Sequence, residues 1–305
     1  MTYSSRRQFL QTSAVLIAAA TAGSSFIPKK HPLLLSFSTL GCPDWSFEQI
    51  VNFASQNGYN GIEFRGIQRE LDLYRCNEFS TAKNRLATAK MMKEKGLQFV
   101  NLGSSANLHF AEPVERKKNL DEARKYIDLA HELNCPFIRV FPNKFPKGQD
   151  KKATMELISK GLLELAVHAK GMGVMVLMET HGDLVITEDI LQVMHAAGDK
   201  SIGLVWDVAN MWTITKEPPI EVYKRLKKYI RHTHIKDAKM VEGAEQYTLL
   251  GQGEVPIFEA IRALSEGGYK GYYSFEWEKL WHPEIAAPEI ALADYPKVMR
   301  KRALT

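Results

Sequence analysis

Between residues 33 and 276 the chain switches eight times between a short run rich in Val, Ile, Leu and Phe and a longer segment with helical period. The short runs fall at 33–38, 61–65, 97–102, 136–141, 174–179, 202–207, 231–235 and 271–276. Strands that are apolar on both faces and separated by helices belong to a parallel sheet, because parallel neighbours need a crossover and the crossovers cover the sheet. Regular alternation over some 270 residues, without a linker, fits a closed α/β barrel better than an open doubly wound sheet. The expected fold is therefore one (β/α)8 TIM barrel, spanning 32–305.

Local signals agree. Ser46 with Gln49 forms a capping box ahead of a helix over Phe47–Asn57, which Gly58 ends; Gly96, Asn134, Gly171, Gly198 and Gly267 close later helices. Pro113 and Pro256 suit first-turn positions. Gly58-Tyr59-Asn60-Gly61 returns in spacing as Gly268-Tyr269-Lys270-Gly271, marking equivalent helix-to-strand turns. The longer connections 66–79, 103–112, 142–150, 208–219 and 237–253 all follow strands, on the side where barrels carry their sites.

The N-terminus reads as an address. Ser5-Arg6-Arg7-Gln8-Phe9-Leu10 precedes the weakly apolar run Ala14–Ala20 and the small-residue step Ala20-Thr21-Ala22. This resembles a twin-arginine signal, which implies a cleaved peptide 1–22, a linker 23–31, the Tat export machinery as a transient partner and a periplasmic location. An uncleaved, membrane-anchored form is the alternative. Cys42, Cys76 and Cys135 are odd in number and widely spaced, which argues against a disulfide framework or structural zinc. The formal charge of +5 draws on Arg6, Arg7, Lys29 and Lys30, so the barrel itself is nearly neutral and lacks the basic stripe of a nucleic-acid binder.

Inward polar residues at the carboxyl ends of barrel strands should meet at one place. Glu179, Asp207, His234 and Glu276 end or nearly end four consecutive strands. Three carboxylates and one imidazole suit a divalent ion, Mn²⁺, Mg²⁺, Co²⁺ or Zn²⁺. Within Ile230–Asp237, alternation puts His232, His234 and Lys236 on one face. His234 lies nearer the site, and His232 deeper, as a structural partner.

At these positions the chain resembles the xylose isomerase-like sugar isomerase/epimerase family. The motifs are Met-Glu-Thr-His-Gly at 178–182, Trp-Asp-Val-Ala-Asn at 206–210, His-Thr-His-Ile-Lys-Asp at 232–237, Gly-Gln-Gly-Glu-Val at 251–255 and Tyr-Ser-Phe-Glu at 273–276. The resemblance implies that Glu179, Asp207, His234 and Glu276 hold the metal. It also implies that Glu179 and Glu276 move protons in an isomerase or epimerase working through an enediolate beside a metal-bound carbonyl. The chain departs from the ketose 3-epimerases at Val185, Asn210 and Met240, where they carry Glu, His and Arg. The metal set is kept and the substrate shell is not, which admits β-elimination from a 3-keto-glycoside as an alternative.

Substrate contacts are expected from His181, Asn210, Lys236, Arg139, His109 and Glu63, with Trp45 and Trp212 offering apolar faces to a sugar ring. Lys236 bears most directly on whether the substrate is anionic. The expected partner is a small sugar or sugar derivative, and a homo-oligomer is admissible. A non-catalytic sugar-binding barrel is the competing class. An endonuclease IV-type phosphodiesterase needs far more His ligands than 9 histidines allow.

Overall fold

The computed structural model describes residues 33–303, so the signal 1–22 and the linker 23–31 lie outside the described residues. Eight strands close a parallel barrel: β1 (Leu35–Ser38), β2 (Gly61–Phe64), β3 (Gln98–Asn107), β4 (Phe137–Phe141), β5 (Met175–Glu179), β6 (Ile202–Asp207), β7 (Ile230–Ile235) and β10 (Tyr273–Phe275). Between β7 and β10 an antiparallel hairpin, β8 (Asp237–Val241) and β9 (Ala244–Thr248), stands outside the barrel. Among the described residues no helix is long and apolar enough to cross a membrane, and Cys42, Cys76 and Cys135 are free and buried.

Alternation along each strand divides the barrel into an apolar outside and a polar inside. Outward residues pack under the helices: Trp206 stacks on Tyr223 of the helix Pro219–Leu226, and Phe275 on Tyr295 of Pro288–Ala303 at 4.6 Å. Burial of each such side chain contributes about 1.5–3 kcal/mol, so this layer sets the register. Asp207 pairs with His234, His234 with Ser274, and Ser274 with Ser36. Fixing that register brings the polar residues of β2, β6, β7 and β10 to neighbouring levels inside.

The helix Phe47–Gln56 opens on the reciprocal Ser46/Gln49 capping box. Gly58 and Gly268 take left-handed φ of 73° and 77° in matching turns, with Tyr59 N donating to Ala54 O and Tyr269 N to Leu264 O. Pro256 is a correction: it precedes the helix Ile257–Glu266 as its cap rather than sitting in its first turn. The connection 237–253 is another, since it is largely hairpin, and β3 runs five residues past its expected end, to Asn107.

Candidate metal centre

His234 points into the barrel from β7 with its two nitrogens serving different neighbours. Nε2 lies 3.0 Å from Glu63 Oε1. Nδ1 lies 3.2 Å from Glu276 Oε1, 3.5 Å from Glu179 Oε1 and 3.8 Å from Asp207 Oδ2. A carboxylate at Nε2 holds a proton there, which leaves Nδ1 as the lone-pair nitrogen of the neutral ring.

Each of Glu179, Asp207, His234 and Glu276 contributes one atom to a group whose members lie within 4.8 Å of one another, all buried. Protein contacts hold the carboxylates in place. Asp207 Oδ1 accepts from Asn210 N at 2.8 Å, capping the helix Val208–Thr215. Glu276 Oε2 accepts from Lys236 Nζ at 2.8 Å, and Glu179 Oε2 sits 3.3 Å from Arg139 Nε. Glu179 Oε2, Asp207 Oδ2 and His234 Nδ1 are buried without a hydrogen bond of good geometry. Three converging carboxylates, two of them with a buried oxygen outside any well-formed hydrogen bond, and one imidazole nitrogen fit a divalent cation by donor chemistry and by charge.

Protonation in the bare site reflects the same crowding. Burial opposes a charged His234, yet Glu276, Glu63 and Glu179 together raise its pKa well above the ordinary imidazole value. Burial likewise opposes ionisation of Glu276 and Glu179, but His234 and Lys236 hold Glu276 well below the carboxylate range, and Arg139 and His234 lower Glu179. For Asp207 burial wins and the pKa rises, despite Lys236.

Two expected substrate contacts turn inward instead. Glu63 is fully buried and is a correction: it bonds His232 Nε2 at 2.7 Å, His234 Nε2 and Ser274 Oγ, tying β2 to β7 and β10 across the barrel. Strand alternation puts Glu63 on the inner face, one inward position below Arg65, where the β7 imidazoles meet it. Lys236 is the other correction. Its ammonium, reached by Asp207 at 2.9 Å, Glu276 at 2.8 Å and Glu278 at 2.5 Å, is neutralised by the protein. Three carboxylates leave it little charge to offer a substrate.

The remaining expected residues divide by location. Arg139 is buried in the site, over the Phe141 ring at 3.6 Å. His181 flanks it, its Nδ1 3.0 Å from Asn143 Oδ1 and its ring 4.6 Å from that of Phe141. Asn210 turns its amide toward Thr180 O at 3.5 Å. His109 packs on Phe110 at 4.2 Å. Trp45 and Trp212 are both partly buried: Trp45 packs on Phe53, and the Lys216 ammonium lies over one face of Trp212. Arg65, Asn143 and Glu278 are site residues that sequence reasoning missed. Arg65 and Glu278 each lie two residues beyond an inward carboxylate, the spacing that marks the same face.

A family model described as Xylose isomerase-like TIM barrel matches residues 51–300. The chain belongs to this family. Among its curated relatives are a fructoselysine 3-epimerase of Shigella flexneri, 24% identical over 247 residues covering 78% of this chain and 87% of that one, and a 3-dehydroshikimate dehydratase of Bacillus anthracis, 24% identical over 230 residues covering 71% and 78%. A solved structure of similar fold, the IOLI protein with a binding zinc atom, superposes with a TM-score of 0.73 at 17% identity, covering 87% of this chain and 97% of that one. Its relatives thus include both an epimerase and a dehydratase.

Proposed function

We propose that the protein is a divalent-metal-dependent isomerase or epimerase of a sugar or sugar derivative, and that its first step is removal of a proton from carbon next to a carbonyl. The observation that carries this reading is the pairing of Glu179 and Glu276. Both face His234 Nδ1, from different strands, and each has its own cation, Arg139 for Glu179 and Lys236 for Glu276. A bound divalent ion would supply Lewis acidity to a carbonyl and its neighbouring hydroxyl.

The chain's own residues do the rest. One of the two, as the carboxylate, takes the proton; the other enters the cycle carrying a proton from solvent and gives it to the opposite face, so the pair holds one proton between them. Arg139 beside Glu179, and His234 and Lys236 beside Glu276, favour the charged form of whichever acts as the base. His234 is held in one orientation by Glu63, and Asp207 by the helix it caps. Tyr247 of the hairpin donates to Glu278 and lies beside Lys236, closing that side against water.

A second reading, β-elimination from a keto-sugar or 3-keto-glycoside, is favoured by one observation. At the three positions where ketose 3-epimerases carry polar contacts, Val185 is buried, Asn210 is directed to the Thr180 carbonyl, and Met240 lies on the hairpin. The same proton removal with a leaving group on the next carbon gives elimination, and relatives named 3-dehydroshikimate dehydratase and inosose dehydratase point the same way. Metal-loaded protein incubated in D₂O with free ketoses and 3-keto-glycosides is expected to place deuterium on carbon. A deuterated epimer or isomer supports the first reading, and a dehydrated sugar or free aglycone the second. Exchange that persists undiminished in both Glu179→Gln and Glu276→Gln would remove these residues from the proton-transfer role.

A further inference from the structure

Lys236 keeps Glu278, which lies outside the metal group, as a partner at 2.5 Å even where Asp207 and Glu276 share their charge with a cation, and the remaining positive charge of the site lies on the other side of the barrel. Arg65 follows β2 on the inner face and Arg139 lies within β4; their exposures are 5% and 1%. Between them runs β3, where Gly103 pairs with Arg139. A Cβ on Gly103 would meet Arg65 Cδ at 2.8 Å and Arg139 Nη2 at 2.9 Å, so both side chains lean over the same bare stretch of backbone. Arg65 Nη2 donates to Ser105 Oγ at 2.9 Å. Arg65 Nη1, Arg139 Nε and Arg139 Nη1 are buried without a hydrogen bond.

Two adjacent buried guanidiniums repel each other, and unpartnered buried N–H groups are costly, so native proteins rarely keep either without a reason. The anion nearest Arg139 is Glu179, 3.3 Å from Nε. Once Glu179 shares its charge with a cation, Arg139 is left short of negative charge, while Arg65 keeps Glu122, whose charge favours its ionised form.

We infer that the substrate carries a carboxylate, seated by Arg65 and Arg139 beside Gly103, while its reacting carbons face Glu179 and Glu276. The planar forks of two arginines match a carboxylate's two oxygens. A single negative charge suits this position better than a phosphate dianion, which Glu179 would repel more strongly. The inference rests on the proposed function for the placement of the reacting carbons, and on the arginines alone for the acid group.

The test is a titration of Mg²⁺-loaded protein, and in parallel of the metal-free protein, with D-glucuronate, D-gluconate, D-glucose and glucose 6-phosphate, following the Nε–H signals of Arg65 and Arg139 by NMR. Either sugar acid is expected to move both signals and to bind about tenfold or more tightly than glucose, the order expected for charge-assisted hydrogen bonds. Arg65→Lys, which removes the fork, should lose that advantage and keep the Mg²⁺ affinity of the parent; Gly103→Ala, whose Cβ would push both arginine side chains out of place, should lose the advantage as well. Acids that bind no better than glucose, or equally well to both variants, would overturn the inference, as would tighter binding of the phosphate ester. Failure to bind Mg²⁺, with the arginine signals still responding to acid in the metal-free protein, would count against the metal centre and leave the carboxylate seat standing.

Discussion

Replacing Glu63 by Gln separates what holds the barrel interior together from what prepares His234. The carboxylate bonds His232 Nε2 at 2.7 Å, His234 Nε2 at 3.0 Å and Ser274 Oγ at 3.3 Å, all buried. Gln keeps the shape but offers one acceptor oxygen and one donor amide. The amide would oppose an imidazole N–H unless a ring moves its proton, and His232 can do so, because its Nδ1 has no hydrogen-bond partner. With His232 protonated on Nδ1, its Nε2 accepts from the amide while the Gln oxygen still receives His234, so the metal-free fold should be little changed.

What Gln cannot supply is the negative charge that raises the basicity of His234. Loss of such a carboxylate partner typically weakens metal binding about 10–100-fold, or about 1.4–2.7 kcal/mol. Glu63→Leu, by contrast, strands two buried N–H groups at about 1–3 kcal/mol each and should lower the stability of the metal-free protein. Calorimetric titration with Mn²⁺ and Zn²⁺, beside thermal denaturation without metal, reads the two effects apart. A folded Glu63→Gln protein with parental affinity for both ions would refute the reasoning, reducing Glu63 to a structural bridge.

Gly253→Ala should destabilise the protein by about 2 kcal/mol or more, because its Cβ would fall 2.0 Å from Asp237 Oδ1 and 2.6 Å from Ala238 O, inside the cradle in which Asp237 accepts from Gly251 N and Gly253 N; an unchanged melting temperature would show that the turn gives way freely. His109 is expected to make stability fall in mild acid. Burial, with Lys144 nearby, lowers its pKa, so as pH drops through about 6.5 the unfolded chain takes up the proton first and stability present above that pH is lost. Melting temperatures of the parent and His109→Gln at pH 7.5 and 5.5 check it, a smaller drop being expected for the variant.

The barrel was legible because its signal is repetitive: eight apolar runs of strand length, each followed by a capped helix, leave few other folds. The convergence of Glu179, Asp207, His234 and Glu276 was legible for a related reason, since alternation and strand order bring inward residues at strand ends to one level. What stayed hidden was pairing across the barrel. Glu63 and His232 are 169 residues apart, and no local pattern shows that a carboxylate on β2 meets two imidazoles on β7. Lys236 looked available because Glu278 lies beyond the last barrel strand, where alternation is no longer secure. The hairpin escaped notice because its turn uses Glu242-Gly243, both with positive φ, in place of the Asn-Gly or Asp-Gly that usually mark such turns.

Anomalous diffraction from crystals grown with Mn²⁺ or Zn²⁺ tests the central claim most directly. One peak is expected within about 2.0–2.3 Å of His234 Nδ1 and of oxygens from Glu179, Asp207 and Glu276, with Glu63 still on Nε2. A peak among Glu63, His232 and His234, the other buried group able to hold an ion among the described residues, with none at the four-residue centre, would contradict the account.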